Sequence, residues 1–434
     1  MAESPAQGTA DYLYSLADRD QYAELIRYIR DHSDQNVRYG ASGILAESAE
    51  EFAEVVTPEA QHALIDCVLT EPSNTIRANV LTVLFTVDES TFDTIITRLE
   101  ATPEATPTDT PYPLILTKWQ SSDRWALRYL AIVGFSRVRS RSTISKLRTA
   151  LERETDYRVV KRAIRAAGTV GDETFVSPIQ EYLRADGSEF HQSVADEQLE
   201  SVRETAVESL VEIGTDAAYE ALVSASRSTD DELKAHVISE IGRFGAQETV
   251  DLVVDQLNDD DNETVREEAA AGVITTFMES DFDEGGAVRQ EAIEKMAEEV
   301  STDVSTEFAT IVEESPRKTE QRNAAWLLGQ LETSTPEAID TLISTLDDED
   351  DNLRKIASAS LTKLDQADVK KKSTRFRRVL TRTQKPTRSP HLCCRHFTAV
   401  RRKKRRWSNT PASPIRATTH PPSETATTER HKNR

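Results

Sequence analysis

A short phrase that recurs along the chain constrains the fold more than any other feature. It consists of an apolar residue, usually followed by Arg or Lys, then two variable residues and a small or apolar residue, as in VRYGA at 37–41 and VRETA at 202–206. Nine copies begin at residues 37, 76, 125, 159, 202, 233, 265, 320 and 353, and the copies at 125 and 320 are the weakest. Spacings of 31 to 55 residues are typical of solenoids, in which each repeat buries its apolar face against its neighbours. We therefore expect one elongated array.

Each phrase lies in a segment with helical periodicity. Between Asp34 and Ala49 the apolar and small residues recur at i, i+4, i+7, i+8 and i+12, which places them on one stripe of a helix. A shorter amphipathic segment precedes several of these helices and often begins with Thr-Pro, as at 57–58 and 335–336. The Thr hydroxyl caps a helix, and Pro at the first helical position loses no needed N–H. The pattern predicts pairs of helices.

Paired helices with Val-Arg-x-x-Ala in the second member resemble HEAT repeats, most closely the short type of phycobilin lyases and deoxyhypusine hydroxylases. The resemblance covers about residues 20–365. It implies an all-α fold, a right-handed α-solenoid of about nine HEAT-like helix pairs. The scaffold carries many unrelated functions, so the resemblance implies little about activity.

We divide the chain into an N-terminal arm at 1–19, the solenoid at 20–369 and a basic tail at 370–434. A Pro/Thr-rich insertion at about 100–113 interrupts the solenoid, and its four prolines exclude a helix there. The longest interval between phrases, 55 residues before the copy at 320, leaves room for an extra pair of helices. We expect that pair at roughly 288–300 and 302–313.

The charges of the solenoid and of the tail are opposite. The whole chain has 53 Lys+Arg and 75 Asp+Glu, and the tail holds 20 of the basic and 2 of the acidic residues. Residues 1–369 therefore hold 33 Lys+Arg and 73 Asp+Glu, a net charge of −40. Only 8 of those 33 basic residues are Lys. This acid-rich, Lys-poor composition resembles proteins of halophilic archaea, because at molar salt the Debye length of about 3 Å suppresses self-repulsion. An acidic protein of an ordinary cytoplasm is the alternative.

Two interpretations of the tail stay open. It contains the run RRKKRR at 401–406 among many Thr, Ser and Pro residues and has no helical stripe, which is typical of a disordered basic arm. Alternatively, it is the product of a shifted reading frame. Acidic codons such as GAC and GAG become Thr and Arg codons when they are misread by one or two bases.

A basic segment stands out inside the acidic solenoid. Residues 118–165 contain 13 Lys+Arg and 4 Asp+Glu, a net charge of +9. Like charges repel, so this clustering favours a surface for an acidic partner, although a solvated face paired with acidic neighbours is the alternative. The candidate partner-binding residues are Arg128, Arg137, Arg139, Arg141, Lys146, Arg148, Arg158, Lys161, Arg162 and Arg165.

The basic residue of the phrase is a second candidate for function. It could line the concave face and bind an anion, but in HEAT-like stacks it more often pairs with acceptors of the neighbouring repeat. We therefore interpret these residues as a structural ladder. They are Arg38, Arg77, Arg203, Lys234, Arg266 and Arg354.

Catalytic residues are not evident. The resemblance to deoxyhypusine hydroxylases implies two irons held by His-Glu dipeptides, but none of the four solenoid histidines (32, 62, 191 and 236) is followed by Glu. Cys67 lies in an apolar run, which favours a buried thiol over a nucleophile. We therefore predict no catalytic residues, no metal and no cofactor. An enzyme of the lyase or oxidoreductase type is the alternative.

The remaining features favour a cytoplasmic binding protein. The first twenty residues lack the features of a secretory signal, and no apolar run approaches the roughly 18 residues needed to cross a bilayer. We expect a non-catalytic scaffold or adaptor for another protein, acidic at the contact, bound through the concave face of the second helices and the basic segment. A nucleic-acid-binding solenoid that uses the basic segment and the tail is the alternative.

Overall fold

The computed structural model describes residues 9–102, 112–184, 190, 193–245, 247–258, 262–280, 285–300, 303–331 and 335–364. All of them belong to the unit Met1–Val369. In these ranges the chain forms 22 α-helices and four 3-10 turns, and no strand. The prediction of an all-α solenoid is confirmed. The tail at 370–434 and most of the Pro/Thr-rich insertion lie outside the described residues.

Each of the nine phrases lies in a helix of its own, which we call a second helix. Consecutive second helices pack against one another from the first to the last, and this stacking makes the array a solenoid. The second helices are α3 (Gln35–Glu47), α6 (Asn74–Val87), α9 (Trp125–Ser136), α11 (Tyr157–Val170), α13 (Asp196–Ile213), α15 (Asp231–Ile241), α17 (Glu263–Glu279), α20 (Lys318–Leu328) and α22 (Asp351–Lys363).

A layer of first helices precedes them in each repeat. These are α2 (Tyr22–Asp31), α5 (Pro58–Thr70), α7 (Thr91–Glu100), α8 (Ile115–Gln120), α10 (Arg141–Arg153), α12 (Val176–Gln180), α14 (Asp216–Ala225), α16 (Gln247–Gln256), α19 (Ser305–Glu314) and α21 (Pro336–Ser344). Three further helices are α1 (Ala10–Ala17), α4 (Ala49–Val55) and α18 (Gly285–Glu299). The 3-10 turns are Glu173–Phe175, Glu181–Leu183, Gly242–Phe244 and Thr345–Asp347.

The helices begin where the sequence predicts. The Thr57 hydroxyl accepts the N–H of Ala60 at 3.2 Å, and Thr335 does the same for Ala338 at 3.2 Å. Several second helices begin with an acidic cap instead. Asp230, for example, accepts a backbone N–H of α15 at 3.2 Å. These caps satisfy N–H groups that have no partner within the helix.

Part of the N-terminal arm predicted at 1–19 is helical in the structure. Residues 10–17 form α1, whose start is capped by Thr9 and whose Leu13 and Leu16 are each 2% exposed. The two leucines are three residues apart and therefore share one face, and α1 packs against α2 and α3. The helical array thus reaches at least to residue 10. Residues 1–8 lie outside the described part.

The long interval before the copy at 320 holds both predicted helices, α18 at Gly285–Glu299 and α19 at Ser305–Glu314, but they do not pair with each other as an extra repeat. Helix α18 packs against α16 and α17 and buries Val288, Ala292 and Met296, which recur every fourth residue. Helix α19, in contrast, packs against α20 and is the first helix of that repeat. The length of the interval accommodates both helices, and only the packing shows that they do not form a repeat of their own.

Candidate protein-binding surface

Arginines of the second helices reach carboxylates of the following repeat. Arg38 donates through Nε to Glu71 at 3.0 Å and through Nη1 to the carbonyl oxygen of His32 at 3.0 Å. Five contacts of this kind join neighbouring repeats in the described ranges. They are Arg38–Glu71, Arg128–Glu154, Arg203–Asp230, Arg266–Glu307 and Arg322–Asp350.

The Arg128–Glu154 pair is the most completely bonded. Arg128 Nε lies 2.8 Å from Oε2 and Nη2 lies 2.9 Å from Oε1 of Glu154, whose side chain is only 8% exposed. Glu154 Oε1 also accepts the backbone N–H groups of Thr155 at 2.9 Å and Asp156 at 3.0 Å. The hydrogen bonds with Glu154 raise the pKa of Arg128 above its usual value. One carboxylate therefore joins α9 to the turn before α11.

The other phrase residues have different surroundings. Arg77 is 8% exposed and donates to the carbonyl oxygens of Val68, at 2.7 Å, and Glu71, and burial lowers its pKa. Arg354, in the last copy, donates to the carbonyl oxygen of Asp348 at 2.6 Å within its own repeat. Lys234 is half-buried on α15.

The ten candidate partner-binding residues do not form one surface. Five of them lie on the second helices α9 and α11: Arg128, Arg158, Lys161, Arg162 and Arg165. Two follow the end of α9, Arg137 and Arg139. The remaining three lie on the first helix α10: Arg141, Lys146 and Arg148. Arg137 hydrogen-bonds Thr97 at 2.9 Å and pairs with Glu100 at 3.4 Å. Lys146 hydrogen-bonds Gln120. The basic segment is therefore divided between the two layers.

On the second helices, arginines and aromatic rings come together. We call Phe85, Trp125, Arg158, Arg162 and Arg165 the arginine–aromatic patch. The Phe85 and Trp125 ring centroids are 5.2 Å apart, and the Arg158 guanidinium lies 3.6 Å from the Trp125 centroid, a cation–π contact. Arg165 is exposed and the other four residues are half-buried. The patch thus presents flat rings and cations side by side.

Buried groups hold the patch in place. Tyr129, 2% exposed, packs edge-on against Phe85 and donates its hydroxyl to Glu89, and burial raises the pKa of this phenol. Glu89 also pairs with Arg165, at 3.7 Å. Arg162 Nη2 lies 3.5 Å from Ser136 Oγ, whereas its Nε has no hydrogen-bond partner among the described groups.

Sequence reasoning missed several members of these contacts. Trp125 opens a phrase copy in a position where most copies have Val, Ile or Leu, and this exception could have marked it. The carboxylates could have been found too, since Glu71 and Glu154 each lie five residues before a phrase.

Groups suited to catalysis are dispersed. His32, His62 and His236 belong to different repeats, and His191 lies outside the described residues. Within the described ranges, no three His, Cys, Asp or Glu side chains are placed to hold a metal ion. Cys67 is 3% exposed, and burial raises the pKa of its thiol to about 11. None of the described helices combines the length and apolar character needed to cross a bilayer.

Two stretches match known families. Residues 188–274 match the family described as HEAT repeats, and residues 320–348 match the PBS lyase HEAT-like repeat. The resemblance to HEAT repeats is confirmed for these stretches. No curated protein matches the sequence.

Three solved structures are similar to this chain at low sequence identity. A mutant of Kap121p is 10% identical with a TM-score of 0.36, over 83% of this chain and 39% of its own. Kap95p, solved in a study of its binding to RanGDP, is 14% identical with a TM-score of 0.39, over 84% and 54%. The CpcE–CpcF complex of phycocyanin lyase from Nostoc sp. is 15% identical with a TM-score of 0.28, over 68% and 97%. The chain thus spans only part of the length of the two larger proteins.

Proposed function

We propose that the chain is a non-catalytic cytoplasmic adaptor that binds an acidic segment of another protein on the arginine–aromatic patch. The observation that carries the proposal is the stacking of Trp125 on Arg158 at 3.6 Å, beside the exposed Arg165. Trp, Tyr and Arg are the residues most enriched in binding hot spots. Arginine forks fit carboxylates in two-point contacts.

Electrostatics supports an acidic partner at this place. Residues 1–369 carry a net charge of −40, so most of the surface repels an acidic ligand. The segment 118–165 carries +9, and the share of it on α11 includes Arg158, Arg162 and Arg165, whose charges attract such a ligand. Glu154, which is only 8% exposed, binds Arg128 in two-point geometry across two repeats, so we assign Arg128 to the junction between repeats. Asp156 also binds Arg158 at two points, at 3.0 and 2.7 Å, but within one repeat, and the Arg158 side chain keeps 29% exposure.

The first-layer arginines offer a matched comparison. Arg141 and Arg148 are exposed on α10, and Arg148 pairs only with Glu152 one helical turn away, at 2.8 Å. No aromatic ring contacts either side chain in the described part of the chain. We assign them to a solvated face.

The test is a pull-down from host lysate with the tagged full chain in molar KCl, after nuclease treatment. One bait carries Arg158→Glu and Arg165→Glu, and the control bait carries Arg141→Glu and Arg148→Glu. Both variants change the net charge equally, and circular dichroism checks that both fold. We expect the first variant to lose proteins that the control retains. Equal capture by both baits would contradict the proposal, and capture that disappears with nuclease would favour nucleic acid.

A further inference from the structure

An acidic pocket lies beside the arginine–aromatic patch, at the start of α13. It is open, has a volume of about 620 Å³, and extends to the turn that leads into α15. Its charged lining residues are Asp196, Glu197, Glu200, Glu204, Asp230, Glu232 and Arg203. Six carboxylates therefore face a single guanidinium.

The internal pairing leaves most of this charge uncompensated. Arg203 is 8% exposed, and its Nη1 lies 2.6 Å from Asp230 and 3.9 Å from Glu200. Burial raises the pKa of Glu200, and the negative charge of Asp230 raises it further. No ion pair of Glu204 or Glu232 occurs within the described residues. The pocket is thus suited to a cation.

Arg203 is itself incompletely hydrogen-bonded. Its Nε is buried and has no hydrogen-bond partner among the described groups, although buried polar groups of this kind normally have one. The charge that a ligand must bring to the pocket is positive, and a peptide segment with Arg or Lys provides it.

One contact joins the pocket to α11, the helix that carries the three arginines of the patch. Lys161 of α11 donates to the hydroxyl of Ser201, and Ser201 lines the pocket. Lys161 lies one turn from Arg158 and Arg165 on the same helix. A single extended segment can therefore contact both surfaces.

We propose that the pocket binds an Arg or Lys side chain of the same partner segment whose acidic residues dock on the arginine–aromatic patch. This inference rests on the proposed function and adds that the partner segment is bipolar. Adjacent sites of opposite charge discriminate against segments that are uniformly acidic or uniformly basic, because each sign meets repulsion at one of the two sites.

Two labelled peptides test the inference by fluorescence anisotropy with the full chain. Both contain six glutamates and four glycines, and they end in two arginines or in two glutamines. The four glycines extend to about 14 Å, more than the roughly 8–10 Å between packed helices. We expect the arginine ending to tighten binding about tenfold relative to the glutamine ending. The variant Glu200→Gln/Glu232→Gln should abolish that gain and leave the affinity for the glutamine peptide unchanged.

A matched control removes the same charge elsewhere. Glu294 and Glu298 are exposed on α18, so Glu294→Gln/Glu298→Gln should preserve the gain. Equal binding of the two peptides, or equal loss of the gain in both variants, would overturn the inference and leave the proposed function standing. Failure of the glutamine peptide to bind at all would contradict the proposed function, and the inference with it.

Discussion

Removal of the Glu154 carboxylate should loosen the junction between α9 and α11. In Glu154→Ala, Arg128 loses two charge-assisted hydrogen bonds of 2.8 and 2.9 Å, and the N–H groups of Thr155 and Asp156 lose their acceptor. Removing one partner of a buried ion pair costs about 3–5 kcal/mol. The Arg128 side chain keeps 19% exposure and is partly rehydrated, so we expect a loss near the lower end, about 3 kcal/mol.

Native-state hydrogen exchange is the appropriate assay, because a solenoid opens locally and its unfolding is not a single two-state step. A loss of about 3 kcal/mol accelerates exchange roughly a hundredfold for amides of α9 and α11 that exchange by opening of this junction. Glu152→Ala is the control. Glu152 pairs with Arg148 at 2.8 Å within one helix, and both side chains are about half exposed, so its loss should cost only about 0.3–0.5 kcal/mol.

The reasoning is refuted if the two variants differ by less than about 0.5 kcal/mol, the size of an exposed pair. A second comparison separates the cost of an unpaired charge from the worth of the pair. The double variant Arg128→Met/Glu154→Met leaves no buried charge and should regain part of the stability that Glu154→Ala loses.

Three further predictions concern a thiol, a carboxylate and the net charge. In a Cys393→Ser/Cys394→Ser variant, Cys67 should not react with a thiol reagent at pH 8 until the chain unfolds, because its side chain is 3% exposed and its pKa is about 11. Rapid labelling of the native state would contradict this burial. Hydrogen bonding by Arg322 lowers the pKa of Asp350 to about 2, so the Asp350 carboxylate stabilises the fold above its unfolded pKa of about 3.9 and loses this effect as the pH falls through 2. Hydrogen exchange of α22 amides should accelerate over this pH window, and less so in Asp350→Asn. Identical pH profiles of the two proteins would show that Asp350 does not cause the pH dependence. The −40 charge of residues 1–369 predicts a higher unfolding temperature for that segment in 3 M than in 0.1 M KCl, because screening suppresses self-repulsion; equal temperatures would argue against adaptation to high salt.

Much of the fold could be predicted because its determinants are local. The Thr57 and Thr335 caps and the apolar stripe of α3 are each set by residues within a few turns of one another, and the repeated phrase signals the stacking. The two helices of the 265–320 interval could be predicted from its length, but their assignment to repeats could not. That assignment depends on the packing of α18 against α16 and α17 and of α19 against α20.

The candidate site was predicted less completely, because charge along a sequence does not specify the layer in which it lies. The basic segment is one cluster in the sequence, but α10 belongs to the first layer whereas α9 and α11 belong to the second. The partner of Arg128 is 26 residues away, and the stacking of Arg158 on Trp125 joins two helices. Such contacts become visible only when the repeats are assembled.

The most direct test of the central claim is the hydrogen–deuterium exchange footprint of the full chain bound to the protein that it captures. If the arginine–aromatic patch is the docking surface, protection on binding should be strongest in α9 and α11 and should be lost together with capture in Arg158→Glu/Arg165→Glu. Protection confined to α10 and the other first helices, with α9 and α11 unchanged, would contradict the account.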